Sequence, residues 1–483
     1  MFLNRNSEIV PPANLTAPVR YARNALKRDM AKVFRESAAP GGCVRLKRAE
    51  SLPAECYRLQ AEGKALTLAA GDDLGFVYGL FEISRRFLGV LPFWLWNDQA
   101  FAPVEQVPVP EDFCEESRPA RVRYRGWFIN DETLLSHWKV ERRGDLPFIM
   151  AFEALLRCGG NMVIPGTGEN ARRYRRAAAD MGLILTHHHA EPLGAEMFTS
   201  VYPELEARYS EYPDRFRALW QTGEAEPVGH SVAYAQSYYG TAAGWAVAKC
   251  LRHYAGAALA YGPHEDDHAG DQFYNHVPRM LITQFIAGRD RPAESLRWLC
   301  GLPALSAQAN WCADRYAAAC ASYDGYLREC EATAAILTGP ARTLFQDSLL
   351  LQARLYAFWS EGALAVCQAL QAGFVGDWAH CFYLAGRAKR AYTAADAAMR
   401  AKEHGKWIDF YANECQTDVK QTAQLCGYLM SFARTLGEGP HFYEWMRAFG
   451  DSEAQRRVML ILNIENHPDD DALWRLMEQR WGE

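Results

Sequence analysis

Between residues 122 and 186 the chain repeats one rhythm. Residues 122–129 are an apolar run of strand length, and 147–158 carry Ile149, Phe152 and Leu156 on one helical face. Residues 161–165 read as a second strand, 171–181 as a second helix and 183–186 as a third strand. Alternation at this spacing predicts parallel βαβ units, with ligands expected at the carboxyl ends of the strands. After Pro192 the rhythm stops. A closed (β/α) barrel takes eight strands, and the alternation supplies three. Three strands leave open edges, so other elements or a second copy of the chain in a homodimer must satisfy them.

On either side of this stretch the pattern differs. Residues 19–34 are helical, 43–47 alternate like a strand, and 57–61 and 65–68 read as two strands joined by a turn at Glu62-Gly63-Lys64. A helix carrying Phe76, Leu80, Ile83 and Phe87 follows, with Asp72 or Asp73 as its N-cap and Gly89 as its end. Pro103, Pro108, Pro110 and Pro119 mark a linker. Residues 213–222 read as helical and 223–229 as a loop, and little after Ser231 is strand-like. Long Ala-rich amphipathic stretches at 304–337, 341–372 and 378–404 predict an antiparallel bundle, with further helices at 410–436 and 455–480. The expected class is α/β plus all-α. It divides into a small α/β domain (1–115), an incomplete (β/α) barrel portion (120–228) and a helical domain (229–483).

Composition narrows the function. A formal net charge of −6 and the absence of a dense Lys/Arg run argue against nucleic acid as a partner. Arg172, Arg173, Arg175 and Arg176 read as a solvated helix face. No stretch reaches the ~18 apolar residues that span a bilayer, and the first ten residues lack the pattern of a signal peptide. The 13 cysteines are scattered without a C-x-x-C pair, which suits reduced thiols in a cytoplasmic protein rather than a disulfide framework or zinc site.

The first strand ends in Asn130-Asp131-Glu132, two carboxylates beside an amide where a barrel would present its chemistry. Glycoside hydrolysis needs a general acid together with a base or nucleophile. Adjacent residues on extended chain point to opposite sides, so Asp131 and Glu132 are not themselves the pair. The third strand ends in Thr186-His187-His188-His189, with Glu191 just beyond. Three consecutive histidines cannot all ligate one metal from a strand, although His187 and His189 share a face. His264-Glu265-Asp266-Asp267-His268 fits H-E-x-x-H, but Asp266 and Asp267 after Gly262-Pro263 suit an exposed helix start better than a zinc helix. No metal or cofactor is expected, and no P-loop, dinucleotide fingerprint or nucleophile elbow is present.

Several of these stretches together resemble glycoside hydrolase family 115, the xylan α-1,2-glucuronidases. The resemblance runs through residues 91–98, Arg125 to Glu132, and Gly160-Asn161-Met162-Val163-Ile164-Pro165. It continues through 182–192, with the family's His-His/Glu-Pro element as His188-His189-Ala190-Glu191-Pro192, and resumes at 261–279 and 403–418. Residues 55–59 and 71–80 resemble the small domain preceding the barrel in β-hexosaminidases. The resemblance implies a hexosaminidase-like domain, a (β/α)8 barrel and a helical domain. It also implies removal of glucuronic acid, or its 4-O-methyl ether, from xylan-type carbohydrate with inversion. Asp131 and Glu191 are then the catalytic candidates, and Asn130, Glu132, His188 and His189 the substrate-binding ones. The family's Arg/Asp-rich and Asp-Asn-Gly motifs on later strands have no counterpart here, which leaves a second reading: a catalytically degenerate homologue that binds carbohydrate or a protein.

Overall fold

A computed structural model describes residues 1–188, 227–260, 269–289, 300–412, 414–415, 417–438, 444–449 and 468–482. The expected helix at 213–222, the first half of that at 455–480, residues 223–226 of the expected loop, and the His264–His268 string lie outside the described residues, as do His189 and Glu191, while residues 227–229 of that loop are helical. The fold mixes helix and sheet in two compact units, one formed by the first 226 residues with 405–413 and the other by 227–404 with 414–483.

In the first unit, β1 (Phe2–Leu3), β2 (Glu8–Val10), α1 (Ala17–Val33), β3 (Cys43–Arg48), β4 (Tyr57–Glu62), β5 (Ala65–Ala70) and α2 (Asp73–Leu88) come in order. After them come β6 (Val107–Pro108) and β7 (Cys114–Glu116). Five of the strands form a mixed sheet in the order β2-β3-β5-β4-β7, and β1 pairs with β6. Val44 and Leu46 of β3 are buried while Arg45 and Lys47 face solvent, the period-two pattern of a sheet covered on one side. The α2 helix packs on β5 and β4, and α1 packs on α2. Asp72 is the N-cap of α2, its carboxylate accepting from the Gly75 N–H at 2.8 Å. Gly89 ends the helix at a φ of 67°, a left-handed position open to glycine without strain.

The βαβ rhythm is present as β8 (Gly126–Phe128), α3 (Leu146–Arg157), β9 (Met162–Ile164), α4 (Gly168–Asp180) and β10 (Ile184–Leu185). The three strands are parallel in the order β10-β9-β8. The strand expected over 122–129 is shorter, for a physical reason. The buried Asn161 carboxamide accepts from the Arg125 N–H (2.9 Å) and donates to the Arg123 carbonyl (2.8 Å), so a side chain takes the backbone groups a ladder would use. At Gly126 a Cβ would overlap the Met162 carbonyl oxygen, so only glycine lets β8 and β9 approach.

A buried ionic network fastens α3 to the preceding helices. Glu153 is fully buried and accepts from Arg28 (2.7 and 3.0 Å), Arg157 (2.9 Å), the Tyr21 hydroxyl (2.7 Å) and the Trp94 indole (3.1 Å). Burial raises its pKa, but the Arg157 and Arg28 guanidiniums outweigh burial and hold it at about 2. Buried Asp29 accepts in turn from Ser84 (2.6 Å), Arg157 (2.5 Å) and Arg28 (2.9 Å).

The second unit is helical where described: α5 (Pro227–Tyr239), α6 (Thr241–Ala257), α7 (Asp271–Ile286), α8 (Leu305–Ile336), α9 (Gly339–Asp347), α10 (Leu349–Phe374), α11 (Trp378–Arg400), α12 (Val419–Gly437), α13 (Glu444–Phe449) and α14 (Asp470–Trp481). Here α10 packs against α8 and α11, and α12 against α11. The single helix expected over 341–372 is two, broken at Ser348. The helix expected from 410 begins at Val419, because residues 405–413 belong to the first unit. Pro278 lies inside α7 and cannot donate to the Tyr274 carbonyl, which instead accepts from the buried Tyr392 hydroxyl at 2.5 Å. No described helix is long and apolar enough to cross a membrane.

Candidate active site at the strand ends

The stretch Arg125 to Glu132 divides into two ends with different work. At the amino end, Arg125 donates to the Gly159 carbonyl (2.8 Å), the Val122 carbonyl (2.7 Å) and Glu55 (2.5 Å). Glu55 also accepts from Asn161 (2.8 Å), and Tyr78 donates to the Gly160 carbonyl (2.9 Å). Burial and the Glu55 carboxylate push the Tyr78 phenol up, so it remains a neutral donor. The two stretches read as separate motifs, around Glu55 and around Asn161, thus meet in one network that sets where β8 and β9 begin.

At the carboxyl end, Asp131 is 1% exposed. Its two carboxylate oxygens accept from the Thr167 N–H (2.8 Å) and the Asn170 carboxamide (2.5 Å), and its backbone carbonyl accepts from Ser136 (3.1 Å). Asp131 therefore ties the end of β8 to the loop after β9 and the first turn of α4, where a carboxylate is also favoured by the helix terminus. Asn130, Glu132 and His187 are exposed. The opposite environments of Asp131 and Glu132 follow from extended-chain alternation. The half-buried His188 ring lies 4.7 Å from the Phe128 ring, tilted by 33°, so the ends of β8 and β10 meet across β9. On the other side of β8, Trp127 stacks with Phe93 at 5.9 Å and 12°.

Exposed amide, carboxylate and imidazole groups beside aromatic rings can hydrogen-bond sugar hydroxyls and cover an apolar sugar face. Among the described residues, no group of three or more His, Cys, Asp or Glu side chains gathers in a way that could hold a metal ion.

Sequence reasoning missed Thr167 and Asn170, whose roles depend on the far side of a loop. It also singled out 91–98 and 403–418 without seeing that they touch. The Trp407 indole donates to Asp98 at 2.5 Å, the Lys406 ammonium contacts the same carboxylate, and the buried Trp138 donates to the Lys406 carbonyl at 2.9 Å. Trp138 and Trp407 stack at 4.8 Å and 4°, with Trp96 and Phe410 against them. The aspartate after a Trp-rich run and the Lys-Trp pair were the available signals, but nothing local links positions more than 300 residues apart.

Residues 117–242 match the family model described as glycosyl hydrolase family 115. A comparison with curated protein sequences finds no match. Among solved structures, a family GH115 4-O-methyl-α-glucuronidase with specificity for decorated arabinogalactans superposes with a TM-score of 0.55 at 13% identity, covering 88% of this chain and 80% of that one. A β-N-acetylhexosaminidase from Bacteroides fragilis NCTC 9343 aligns at a TM-score of 0.26 and 17% identity, over 42% of this chain and 45% of that one. A GH138 enzyme targeting pectin rhamnogalacturonan II aligns at 0.32 and 9%, over 89% and 99%. Both scores are too low to define the fold. The three parallel strands thus lie within the stretch that matches the glycosyl hydrolase family 115 model.

Proposed function

We propose that the chain is a glycoside hydrolase of the α-glucuronidase type, acting on polysaccharide or oligosaccharide decorated with glucuronic acid. The observation that carries this reading is that the family match, residues 117–242, coincides with the strands whose carboxyl ends bear Asn130, Glu132 and His187. The three parallel strands are then part of a (β/α) barrel, and the helical unit corresponds to the family's helical domain. Asn130, Glu132, His187 and His188 contact the sugar. Both oxygens of Asp131 are already engaged by Thr167 and Asn170, which favours a positioning role, with the exposed Glu132 taking the place at the sugar. Glu191 remains the second carboxylate. Inversion requires the acid and base ~6.5–9.5 Å apart with water between them.

The test is incubation of purified protein with glucuronoxylan oligosaccharides and with glucuronic-acid-bearing arabinogalactan, following free uronic acid by chromatography and its anomer by NMR. The expected result is release from at least one substrate, abolished by Glu191→Gln and strongly reduced by Glu132→Gln. Saturable binding of both substrates without release overturns the hydrolase reading.

A further inference from the structure

At the opposite ends of the strands from the candidate active site, the first unit has a cleft of about 280 Å³ that is open to solvent on the side of the exposed Arg85 and Arg118. That volume suits one monosaccharide-sized molecule. Its walls bring together side chains from β4, α2, the linker before β8 and the end of α3. The hydrogen-bonding capacity of these walls is uneven. The carboxylates are engaged: Glu55 accepts from Arg125 and Asn161, and Glu82 accepts from Arg85 through two bonds of 2.7 and 2.5 Å. Arg125 and Arg157 are also spent, each holding carbonyl, hydroxyl or carboxylate partners through all three nitrogens.

Besides the remaining lone pairs of these carboxylates, what lacks a partner is a set of donors. The Tyr57 hydroxyl and the Arg118 guanidinium have no side-chain partner among the described residues, and the second Nη of Arg85 is unused. Ser117 uses its oxygen as an acceptor for the Tyr57 N–H at 2.8 Å, which leaves its O–H to donate. Phe81, Val90 and Pro92 add an apolar wall. Arg85, Arg125 and Arg157 are each paired with a carboxylate, so Arg118 brings a positive charge without an ion-pair partner among the described residues. This favours a ligand that accepts and is negative, because charge-assisted bonds to guanidinium are about twice as strong as neutral ones.

We propose that this cleft is a second binding site, separate from the strand-end site, for a small organic anion with a carboxylate or comparable oxyanion group and a compact, partly apolar body. Arg118 and Arg85 meet the anionic group, Tyr57 and Ser117 donate to its oxygens, and the Phe81–Pro92 wall covers the body. The assignment does not depend on the hydrolase reading.

The test is isothermal titration of the full chain with sodium glucuronate, with glucose as the neutral match and inorganic phosphate as a bare oxyanion. The expected result is saturable glucuronate binding that persists in Asn130→Ala/His187→Ala, which removes the strand-end contacts. It weakens about tenfold or more in Arg118→Gln/Tyr57→Phe, as loss of charge-assisted bonds predicts. Displacement by phosphate supports the shared oxyanion chemistry. Glucose binding as tightly as glucuronate overturns the proposal, as does unchanged affinity in Arg118→Gln/Tyr57→Phe with its thermal midpoint intact. Loss of all binding in Asn130→Ala/His187→Ala also overturns it and assigns glucuronate to the strand ends.

Discussion

Replacing Glu153 by glutamine should destabilise the first unit by about 3 kcal/mol at pH 7, and the structure supplies the figure twice. A folded-state pKa of about 2 against an ordinary value of 4.5 corresponds to about 3 kcal/mol, since each pKa unit is worth 1.36 kcal/mol. Independently, removing one partner of a buried ion pair typically costs ~3–5 kcal/mol, because the charge left behind stays desolvated. Here that charge is Arg157, whose side chain is 2% exposed and would keep Asp29 as its remaining carboxylate partner, which places the cost at the low end of that range. The sign follows from a lowered carboxylate pKa. The stabilisation is present above the ordinary carboxylate pKa of 4.5 and is lost as pH falls through about 2, so at pH 3 roughly half of it remains. Urea denaturation of wild type and Glu153→Gln at pH 7, 4.5 and 3, followed by tryptophan fluorescence, measures the difference directly. It should shrink on acidification. A difference below about 1 kcal/mol at pH 7, or one that stays constant to pH 3, refutes the assignment of Glu153 as an ionised, paired carboxylate.

Asp131→Ala leaves the Thr167 N–H and the Asn170 carboxamide without their acceptor, and should lower the thermal midpoint by the equivalent of about 2–4 kcal/mol. An unchanged midpoint would place Asp131 outside the structural framework. Glu132→Gln and His187→Ala, at exposed positions, should alter stability by under about 0.5 kcal/mol while reducing uronic acid release; equal activity with wild type removes them from the site. Gly126→Ala forces a methyl into the Met162 carbonyl and should cost about 1–3 kcal/mol in chemical denaturation. Trp407→Ala removes the stack on Trp138 and a donor to Asp98, and should increase acrylamide quenching of the remaining tryptophans; unaltered quenching would mean that the 405–413 segment does not cover Trp138.

Periodicity alone was enough to read the three βαβ strands, the helices of the first unit and the long helices Leu305–Ile336 and Trp378–Arg400. These elements depend on side-chain spacing within ten to thirty residues, which is local information. A cap at Asp72 or Asp73 and the Gly89 stop were legible for the same reason, since each acts on its own helix, and the structure places the cap at Asp72. The length of β8 was not legible. It is set by Asn161, 36 residues after Arg125, whose amide takes the backbone groups that would have extended the strand.

The polar strand end illustrates the division most sharply. Residue order by itself determines that Asn130, Asp131 and Glu132 follow an apolar strand and that neighbours among them face opposite ways. Which of them is buried depends on what packs above the strand. Thr167 and Asn170 close over Asp131 and leave Asn130 and Glu132 exposed. The same holds for Asp98, Lys406 and Trp407, and for Glu153 with Arg28 and Asp29. Their charges are visible in the chain, but their pairing is a matter of three-dimensional proximity, because electrostatic and hydrogen-bond energies act through space rather than along the sequence.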